Sequence, residues 1–255
     1  MIIFVTGTDT NIGKTFTTAM LTSCLSRKYK KLAVVKPIES GVVASNKSDL
    51  YTIKKFNANN SRSIDYYNFI TFREPVAPLT AAKLNQRRIN FSDIVKSIKN
   101  LKKKYNLVIV EGAGGVRVPI TKKFQMIDLM KKLDAVVILV ASPSLGTINH
   151  ILLSVQALIS HRIKFKGIII NRYPKKPNIS EIYNPIIISQ SKIKILGVIP
   201  DFGSINLKKS KIKYKNFFTP FLNGSFNSKI FLKNCRSKFN NISNKVGWLT
   251  VKITM

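Results

Sequence analysis

The sequence predicts an α/β fold: a doubly wound, mainly parallel sheet flanked by helices. Short apolar runs alternate with amphipathic stretches along residues 1–200, and a glycine-containing loop separates the first apolar run from the first helical stretch. This alternation is typical of parallel strands joined by crossover helices on both faces of a sheet. A chain of 255 residues can form one such domain or two small ones.

The first stretch of the chain carries the prediction of a phosphate site. Residues 1–6 are β-branched or aromatic after the initial Met, the loop Gly7-Thr-Asp-Thr-Asn-Ile-Gly-Lys-Thr15 follows, and 16–26 continue as a helix. Backbone N–H groups near a glycine and a helix N-terminus favour phosphate oxygens. Lys14 would reach the β and γ phosphates of a nucleotide, and the Thr15 hydroxyl would bind Mg²⁺. The strand, loop and helix therefore predict a P-loop NTPase-type fold.

The spacing of this loop is unusual, because Gly7 and Gly13 enclose one residue more than the common pattern. The loop is thus a variant. The alternative is a glycine turn between a strand and a helix with an incidental lysine.

Further elements follow from apolar periodicity. We expect residues 57–77 to be polar and irregular, and residues 179–191 stay open between helix and extended chain. Ser48 and Ser92 are the expected helix caps. The predicted strands are 32–36 (ended by Pro37), 106–110, 134–141, 165–171 and 193–199 (ended by Pro200), and the predicted helices are 49–56, 79–86, 91–104, 124–132 and 147–160.

Polar residues follow several of these strands. Because ligands bind at the carboxyl ends of strands in open α/β sheets, we expect Lys36, Glu111, Ser142 and Asn171 to converge on the edge that holds the glycine loop. Lys36 and Lys14 would repel each other there unless an anion lies between them. Mg²⁺ takes one or two carboxylates beside nucleotide phosphates, so Thr15, Asp49 and Glu111 are its candidate ligands. Alternatively, Asp49 is a first-turn residue that the helix dipole favours, and Glu111 is a strand-end residue that caps the glycines after it.

The charge and cysteine content limit the partners. The formal net charge of +32 would attract nucleic acid or an anionic membrane. Lysines are scattered, however, and abundant Ile and Asn accompany them, which favours compositional drift over a specific polyanion site.

Two cysteines argue against a disulfide framework. With no signal peptide and no apolar run long enough to span a bilayer, we expect a cytoplasmic, soluble protein.

Residues beyond about 205 differ from the rest. Lys, Asn, Ser and Phe dominate and periodicity fades, so we divide the chain into a domain at 1–205 and a basic C-terminal extension at 206–255. The extension is either a mobile appendage or a small β-rich segment around Trp248.

Several short blocks follow one another along the chain. They are, in order, the glycine loop of residues 7–15, Lys36-Pro-Ile-Glu-Ser-Gly41, Ser48-Asp49, Glu74-Pro75, Glu111-Gly-Ala-Gly-Gly115 with Pro119, and Leu145-Gly-Thr-Ile-Asn-His150. In order and spacing, these blocks together resemble the motifs of the dethiobiotin synthetase family. The resemblance covers roughly residues 2–201. Asn11 stands where many relatives carry a carboxylate, and Leu79 where a histidine is frequent.

The resemblance implies a homodimeric ligase of biotin biosynthesis that uses ATP and Mg²⁺. Diaminopelargonic acid is carbamated by CO2, the carbamate is phosphorylated, and the second amine closes a cyclic urea. Lys14, Lys36 and Thr10 are the implied catalytic residues, and Thr15, Asp49 and Glu111 the metal ligands. The implied nucleotide-binding residues are Asn11, Ile12, Gly13, Lys14, Thr15, Phe16, Asp49, Glu111, Gly112, Gly114, Asn171 and Pro200. The implied substrate-binding residues are Thr10, Lys36 and Ser40, with Gly146, Thr147 and Asn149 contributed by the partner subunit.

An alternative is a partitioning-type P-loop ATPase that binds nucleic acid and uses nucleotide as a switch. That class usually has an additional lysine early in the loop, where this chain has Thr8, Asp9 and Thr10. It also has no need of the Lys36-Pro-Ile-Glu-Ser-Gly41 block. We therefore favour a ligase that has small-molecule substrates and no specific nucleic-acid or membrane partner.

Overall fold

The computed structural model describes residues 1–58 and 63–203, so the predicted extension at 206–255 lies outside the described residues. Its central feature is a seven-stranded sheet in the order β3-β2-β4-β1-β5-β6-β7. All neighbouring strands are parallel. The strands are β1 Ile2–Gly7, β2 Leu32–Glu39, β3 Ile64–Thr71, β4 Leu107–Gly115, β5 Val136–Ala141, β6 Lys164–Tyr173 and β7 Ile195–Pro200.

Helices cover both faces of the sheet. Two separate groups of buried apolar side chains result, one against α1 and α2 and the other against α3 to α7. The helices are α1 Lys14–Ser26, α2 Asp49–Phe56, α3 Pro78–Leu84, α4 Phe91–Lys104, α5 Met126–Lys132, α6 Thr147–Ser160 and α7 Ile179–Gln190. The predicted doubly wound fold is thus confirmed. Within the described ranges, no helix combines the length and apolar character needed to span a bilayer.

The central strands are apolar because they are covered on both faces. All six residues of β1 are buried, and so are the first six residues of β4. Strands buried on both sides have continuous apolar runs rather than alternating ones. This is why β1 and β4, which flank each other, could be placed from sequence.

In the first half of the chain two strands end later than predicted, and one strand was not predicted. The strand predicted at 106–110 continues to Gly115. The strand predicted at 32–36 continues through Pro37 to Glu39. Pairing of β2 with β4 ends at Val35, so Pro37 lies where β2 is bonded only to β3 and a missing N–H is tolerated. Residues 64–71, predicted to be irregular, form the edge strand β3. An edge strand is only half-buried and needs no apolar run, so its aromatic residues were the available signal.

The helix predictions need smaller changes. Asn90, and not Ser92, caps α4, because its side chain accepts the N–H groups of Ser92 and Asp93. Ser48 caps α2 as predicted, by accepting the N–H of Tyr51 at 3.0 Å. The open segment at 179–191 is helix α7, and its cap Asn178 forms a capping box with Glu181.

Candidate active site

The glycine loop between β1 and α1 has the geometry of a phosphate-binding loop. Gly13 is left-handed, with φ 87°, and the N-terminus of α1 starts at the next residue. A Cβ at residue 13 would lie 2.0 Å from Asn171 Nδ2, so only glycine fits there. Asn11 is also left-handed, with φ 56°, a conformation that asparagine tolerates better than most residues. The loop therefore presents backbone rather than side chains beside the helix N-terminus.

Lys14 is held within this loop. Its Nζ donates a hydrogen bond to the carbonyl of Asp9 at 2.8 Å, and the residue is buried. Burial lowers the pKa of Lys14 to about 8, and the positive charge of Lys36 acts in the same direction. An anion bound in the loop would reverse both effects.

Lys36 lies between two carboxylates. Its Nζ is 2.7 Å from Asp49 Oδ2 and 2.7 Å from Glu111 Oε1. Burial opposes the charge of Lys36, but Glu111 and Asp49 outweigh it and raise the pKa of Lys36 above its ordinary value. Burial likewise opposes the charge of Asp49, yet the Lys36 ammonium lowers the pKa of that carboxyl. The anion expected between Lys14 and Lys36 is thus not what stabilises Lys36, because the protein's own carboxylates do so.

Thr15 and Glu111 complete this cluster. The Thr15 hydroxyl donates to Glu111 Oε1 at 3.0 Å, and Glu111 is fully buried. The other carboxylate oxygen of Glu111, Oε2, is buried and has no partner among the described residues. An orphaned carboxylate oxygen beside a hydroxyl and a second carboxylate is a donor set that suits Mg²⁺. The residues present therefore fit the ion.

One cavity joins the loop to this cluster. It has a volume of about 610 Å³, within the range of small-molecule sites. Thr10, Asn11, Gly13, Lys14, Thr15, Phe16, Lys36, Ser40, Asp49 and Gly114 all line it, together with Glu39 and Arg172. The structure thus brings most of the site residues predicted from sequence to one cavity at the carboxyl ends of the strands. Their individual roles stay predictions.

Two glycines of β4 are needed for different reasons, because Gly114 lines this cavity and Gly112 packs against the core. A Cβ on Gly112 would come within 2.8 Å of the Phe4 ring, and Gly114 has φ 63°. Both positions consequently require glycine.

Asn171 and Pro200 lie at the ends of β6 and β7. Asn171 Nδ2 donates to the carbonyl of Ile12 at 2.8 Å, while its buried Oδ1 has no partner in the described part of the chain. A free amide oxygen beside the phosphate loop can accept a hydrogen bond from a base amino group. Pro200 is not among the residues that line the cavity.

The structure does not bring Gly146, Thr147 and Asn149 to this cavity within one chain. The Thr147 hydroxyl instead donates to the carbonyl of Ser142 at 2.6 Å. Gly146 and Asn149 are exposed at the N-terminal end of α6.

Sequence reasoning missed two charged residues of the cavity, Glu39 and Arg172. Glu39 is buried and accepts hydrogen bonds from the Asp49 N–H and from Asn68 Nδ2, the latter at 2.7 Å. Burial raises the pKa of the Glu39 carboxyl. Arg172 has φ 57°, and its Nε lies 3.8 Å from where a Gly13 Cβ would be. The available signals were an acid in the block that follows Lys36, and a cation directly after Asn171.

Fold and site together define an ATPase-type enzyme of the P-loop class, with a second lysine and two carboxylates opposite the loop. Comparisons with known proteins narrow this class. The family model described as AAA domain matches residues 2–207. The ATP-dependent dethiobiotin synthetase of Bacillus licheniformis is 40% identical over 77% of this chain and 84% of its own length. That of Methanococcus vannielii is 38% identical over 81% and 98%. The chain belongs to the dethiobiotin synthetase family.

Solved structures support the fold at greater distance. The septum site-determining protein MinD of Pyrococcus horikoshii, complexed with Mg-ADP, has a TM-score of 0.56 at 17% identity, covering 96% of this chain and 99% of its own. A putative plasmid partition protein of Borrelia burgdorferi, bound to AMPPNP, has a TM-score of 0.57 at 15% identity, covering 91% and 98%. At these identities the likeness concerns the fold alone.

Proposed function

We propose that this protein closes the cyclic urea of dethiobiotin from diaminopelargonic acid, CO2 and ATP. The observation that carries the proposal is that Lys14, Thr15 and Lys36 line one cavity, with the buried Glu111 bonded to both Thr15 and Lys36. Two cations beside a phosphate-binding loop suit transfer of a phosphoryl group to a small anionic acceptor. Membership of the dethiobiotin synthetase family supplies the identity of that acceptor.

The reaction has three steps. One amine of the substrate attacks CO2 and loses a proton, which gives a carbamate. A carbamate oxygen then attacks the γ-phosphorus of ATP, the bond to the bridging oxygen breaks, and ADP leaves. The second amine finally attacks the carbamoyl carbon, expels phosphate and loses a proton as the ring closes. The carbamate and the transferred phosphoryl group thus carry negative charge beside the nucleotide until phosphate leaves in the last step.

Lys14 and Lys36 neutralise this charge from opposite sides. Lys14, fixed by the carbonyl of Asp9, would bind the β and γ phosphates. Lys36, whose ammonium lies between Asp49 and Glu111, would bind the carbamate and the charge that develops on it. Thr10 and Ser40, which line the same cavity, would hydrogen-bond the carbamated diamine. Preorganised donors of this kind supply most of the catalysis in phosphoryl transfer.

Thr15, Asp49 and Glu111 are the residues that would hold Mg²⁺. Bound beside the phosphates, the ion would neutralise charge on the transferring group. Within the described ranges no group of three or more His, Cys, Asp or Glu side chains is arranged for a metal. One hydroxyl and two carboxylates nevertheless suffice, because Mg²⁺ keeps several waters and shares nucleotide oxygens.

The adenine would lie near Asn171, whose unpartnered Oδ1 can accept the base amino group. Pro200 would contribute the neighbouring wall, at the end of the adjacent strand. Backbone groups of Asn11 to Phe16, with Gly112 and Gly114, would surround the phosphates. We also propose that the enzyme acts in the cytoplasm, where ATP is available.

The carboxylate end of the substrate would be bound by a second subunit of a homodimer. Gly146, Thr147 and Asn149 lie at the N-terminus of the fourteen-residue helix α6, which favours an anion. Large apolar side chains are exposed on and beside α6 and α7, and an unpaired surface of this kind favours burial against another subunit. They are Leu145, Leu152, Leu153, Ile159, Ile179, Tyr183 and Ile187.

The test is incubation of the purified full-length chain with diaminopelargonic acid, bicarbonate and MgATP. We expect dethiobiotin and ADP in equal amounts, measured by mass spectrometry. Release of ADP without a cyclic urea would reject the proposed reaction.

A further inference from the structure

Glu39 is a buried carboxylate to which the proposed reaction assigns no role. It is the last residue of β2, is 3% exposed and lines the active-site cavity. The carboxylates of Asp49 and Glu111 both lie around Lys36, so Glu39 adds a third acid to one small region. Buried acids are rare unless hydrogen bonds hold them.

Both oxygens of Glu39 accept hydrogen bonds. Oε1 accepts the backbone N–H of Asp49, and Oε2 accepts Asn68 Nδ2 at 2.7 Å. Asp49 is the first residue of α2, so its N–H is one of the donors that a helix leaves without a partner inside the helix. Ser48 satisfies the N–H of Tyr51 in the same turn. Glu39 therefore holds the helix N-terminus from a different element, the strand β2.

This contact attaches Asp49 to β2 at two points. Glu39 binds its backbone, and Lys36, three residues earlier on the same strand, binds its side chain at 2.7 Å. Asn68 pairs in register with Lys36 on the neighbouring strand and anchors the second oxygen of Glu39. The Asp49 side chain is 41% exposed, so packing alone does not fix it.

We propose that Glu39 is a positioning residue that fixes the Asp49 carboxylate relative to Thr15 and Glu111 for Mg–nucleotide binding. The inference rests on the metal role proposed above for Asp49. Groups that orient metal ligands in this way typically change metal affinity 10–100-fold when they are lost.

Two variants separate the effect of side-chain length at residue 39 from the effect of its charge. Glu39→Gln keeps an oxygen at the right distance for the Asp49 N–H. Its amide can donate to Asn68 Oδ1, which is buried and unpartnered in the described structure, after the Asn68 amide turns over. Glu39→Asp keeps the charge but is one methylene too short to reach Asp49. A positioning role thus predicts that the neutral variant works and the charged one fails.

The measurement is Mn²⁺ binding, followed by electron paramagnetic resonance of the free ion with saturating ADP and full-length protein. We expect E39D to weaken Mn²⁺ binding about tenfold, and E39Q to stay within about threefold of wild type. ADP affinity in EDTA should be the same in all three proteins. The thermal midpoint serves as the control for a merely structural role, because E39D should lose metal affinity even at temperatures where it is fully folded.

Asp49→Asn supplies the reference. It should weaken Mn²⁺ binding, and adding E39D to it should cause little further loss if Glu39 acts through Asp49. Wild-type affinity in E39D, or failure of E39Q to match wild type, would reject the positioning role alone. Equal losses from E39D with and without D49N would reject it too. Unchanged Mn²⁺ affinity in D49N would instead remove the proposed metal role of Asp49, and the inference with it, while dethiobiotin formation tests the reaction separately.

Discussion

Lys36 and Glu111 form a buried ion pair, with Nζ 2.7 Å from Oε1 and side chains that are 4% and 0% exposed. Asp49 binds the same ammonium from the cavity side. The two carboxylates expected to bind Mg²⁺ therefore share the single positive charge of Lys36. Ammonium and metal would compete for the same oxygens, so Lys36 is expected to be freed toward substrate when the ion binds.

Replacing Lys36 by methionine separates these two roles. Lys36→Met keeps the apolar stem but removes the charge, so dethiobiotin formation should fall by a factor of about 10³ because a donor to the carbamate is lost. Metal affinity should rise, since Asp49 and Glu111 lose their competing cation. Product formation by mass spectrometry and Mn²⁺ binding by titration check the two effects. Ordinary turnover by K36M would remove the catalytic role proposed for Lys36.

Thr15 is predicted to act as a metal ligand through its hydroxyl. Thr15→Val keeps the shape but removes the donor to Glu111 and the expected ligand. We expect the Mg²⁺ concentration for half-maximal activity to rise by about tenfold or more. Thr15→Ser, which retains the hydroxyl, is the matched control and should stay near wild type. Identical Mg²⁺ dependence of T15V and T15S would exclude this ligand.

The lowered pKa of Lys14 predicts that nucleotide binding takes up a proton. In the free protein the pKa is about 8 against a reference of 10.5, so between these pH values the unfolded chain binds more protons and folding stability rises with pH. Phosphates favour the charged form and raise the pKa again. At pH 9, binding of ADP in EDTA should take up more than about half a proton. Calorimetry in buffers of different ionisation enthalpy measures this.

Lys14→Met is the control for that experiment. Its ADP binding should be weaker and should show no proton uptake at pH 9. Uptake of equal size in the wild type and K14M would assign the proton to another group.

The sequence predicted the central strands and the glycine loop because their signals are local. A run such as 107–110 is apolar since it is covered on both faces, and the loop contains its own phosphate donors. The edge strand at 64–71 escaped prediction because half-buried strands have no such run. Extension of β2 past Pro37 depends on which neighbours bond to it, which is set by tertiary structure.

The site shows the same division. Residue types and chain order were enough to predict that Lys14, Thr15, Lys36 and Glu111 lie together at the strand ends. They could not show that Lys36 would be paired with carboxylates, since that depends on side-chain distances of 2.7 Å. The role proposed for Glu39 was equally hidden, because its partner at position 49 is a backbone N–H, which every residue except proline supplies.

Gly13 is predicted to be intolerant of any side chain. In Gly13→Ala the Cβ would lie 2.0 Å from Asn171 Nδ2, so the amide would have to leave the carbonyl of Ile12. Such a displacement can cost up to about a hundredfold in function, and we expect ADP affinity to fall at least tenfold. Gly203→Ala is the matched control, since that glycine is also left-handed, with φ 61°, but no atom of the described residues lies within 4 Å of its added Cβ. Equal ADP affinities in G13A and G203A would contradict the close approach of Asn171.

The proposed homodimer, whose subunits would share active sites, can be tested with mixtures of two inactive variants. Lys36→Met should inactivate the site of its own subunit, and Asn149→Asp should repel the substrate carboxylate in the site of the partner. In a mixed dimer both defects then fall in one site, and the other site is intact. Refolding equal amounts of K36M and N149D together should therefore recover about a quarter of wild-type activity, because half of the dimers are mixed. Each variant refolded alone is the control, and light scattering establishes the dimers. If mixed dimers form and no activity returns, Asn149 does not act across the interface.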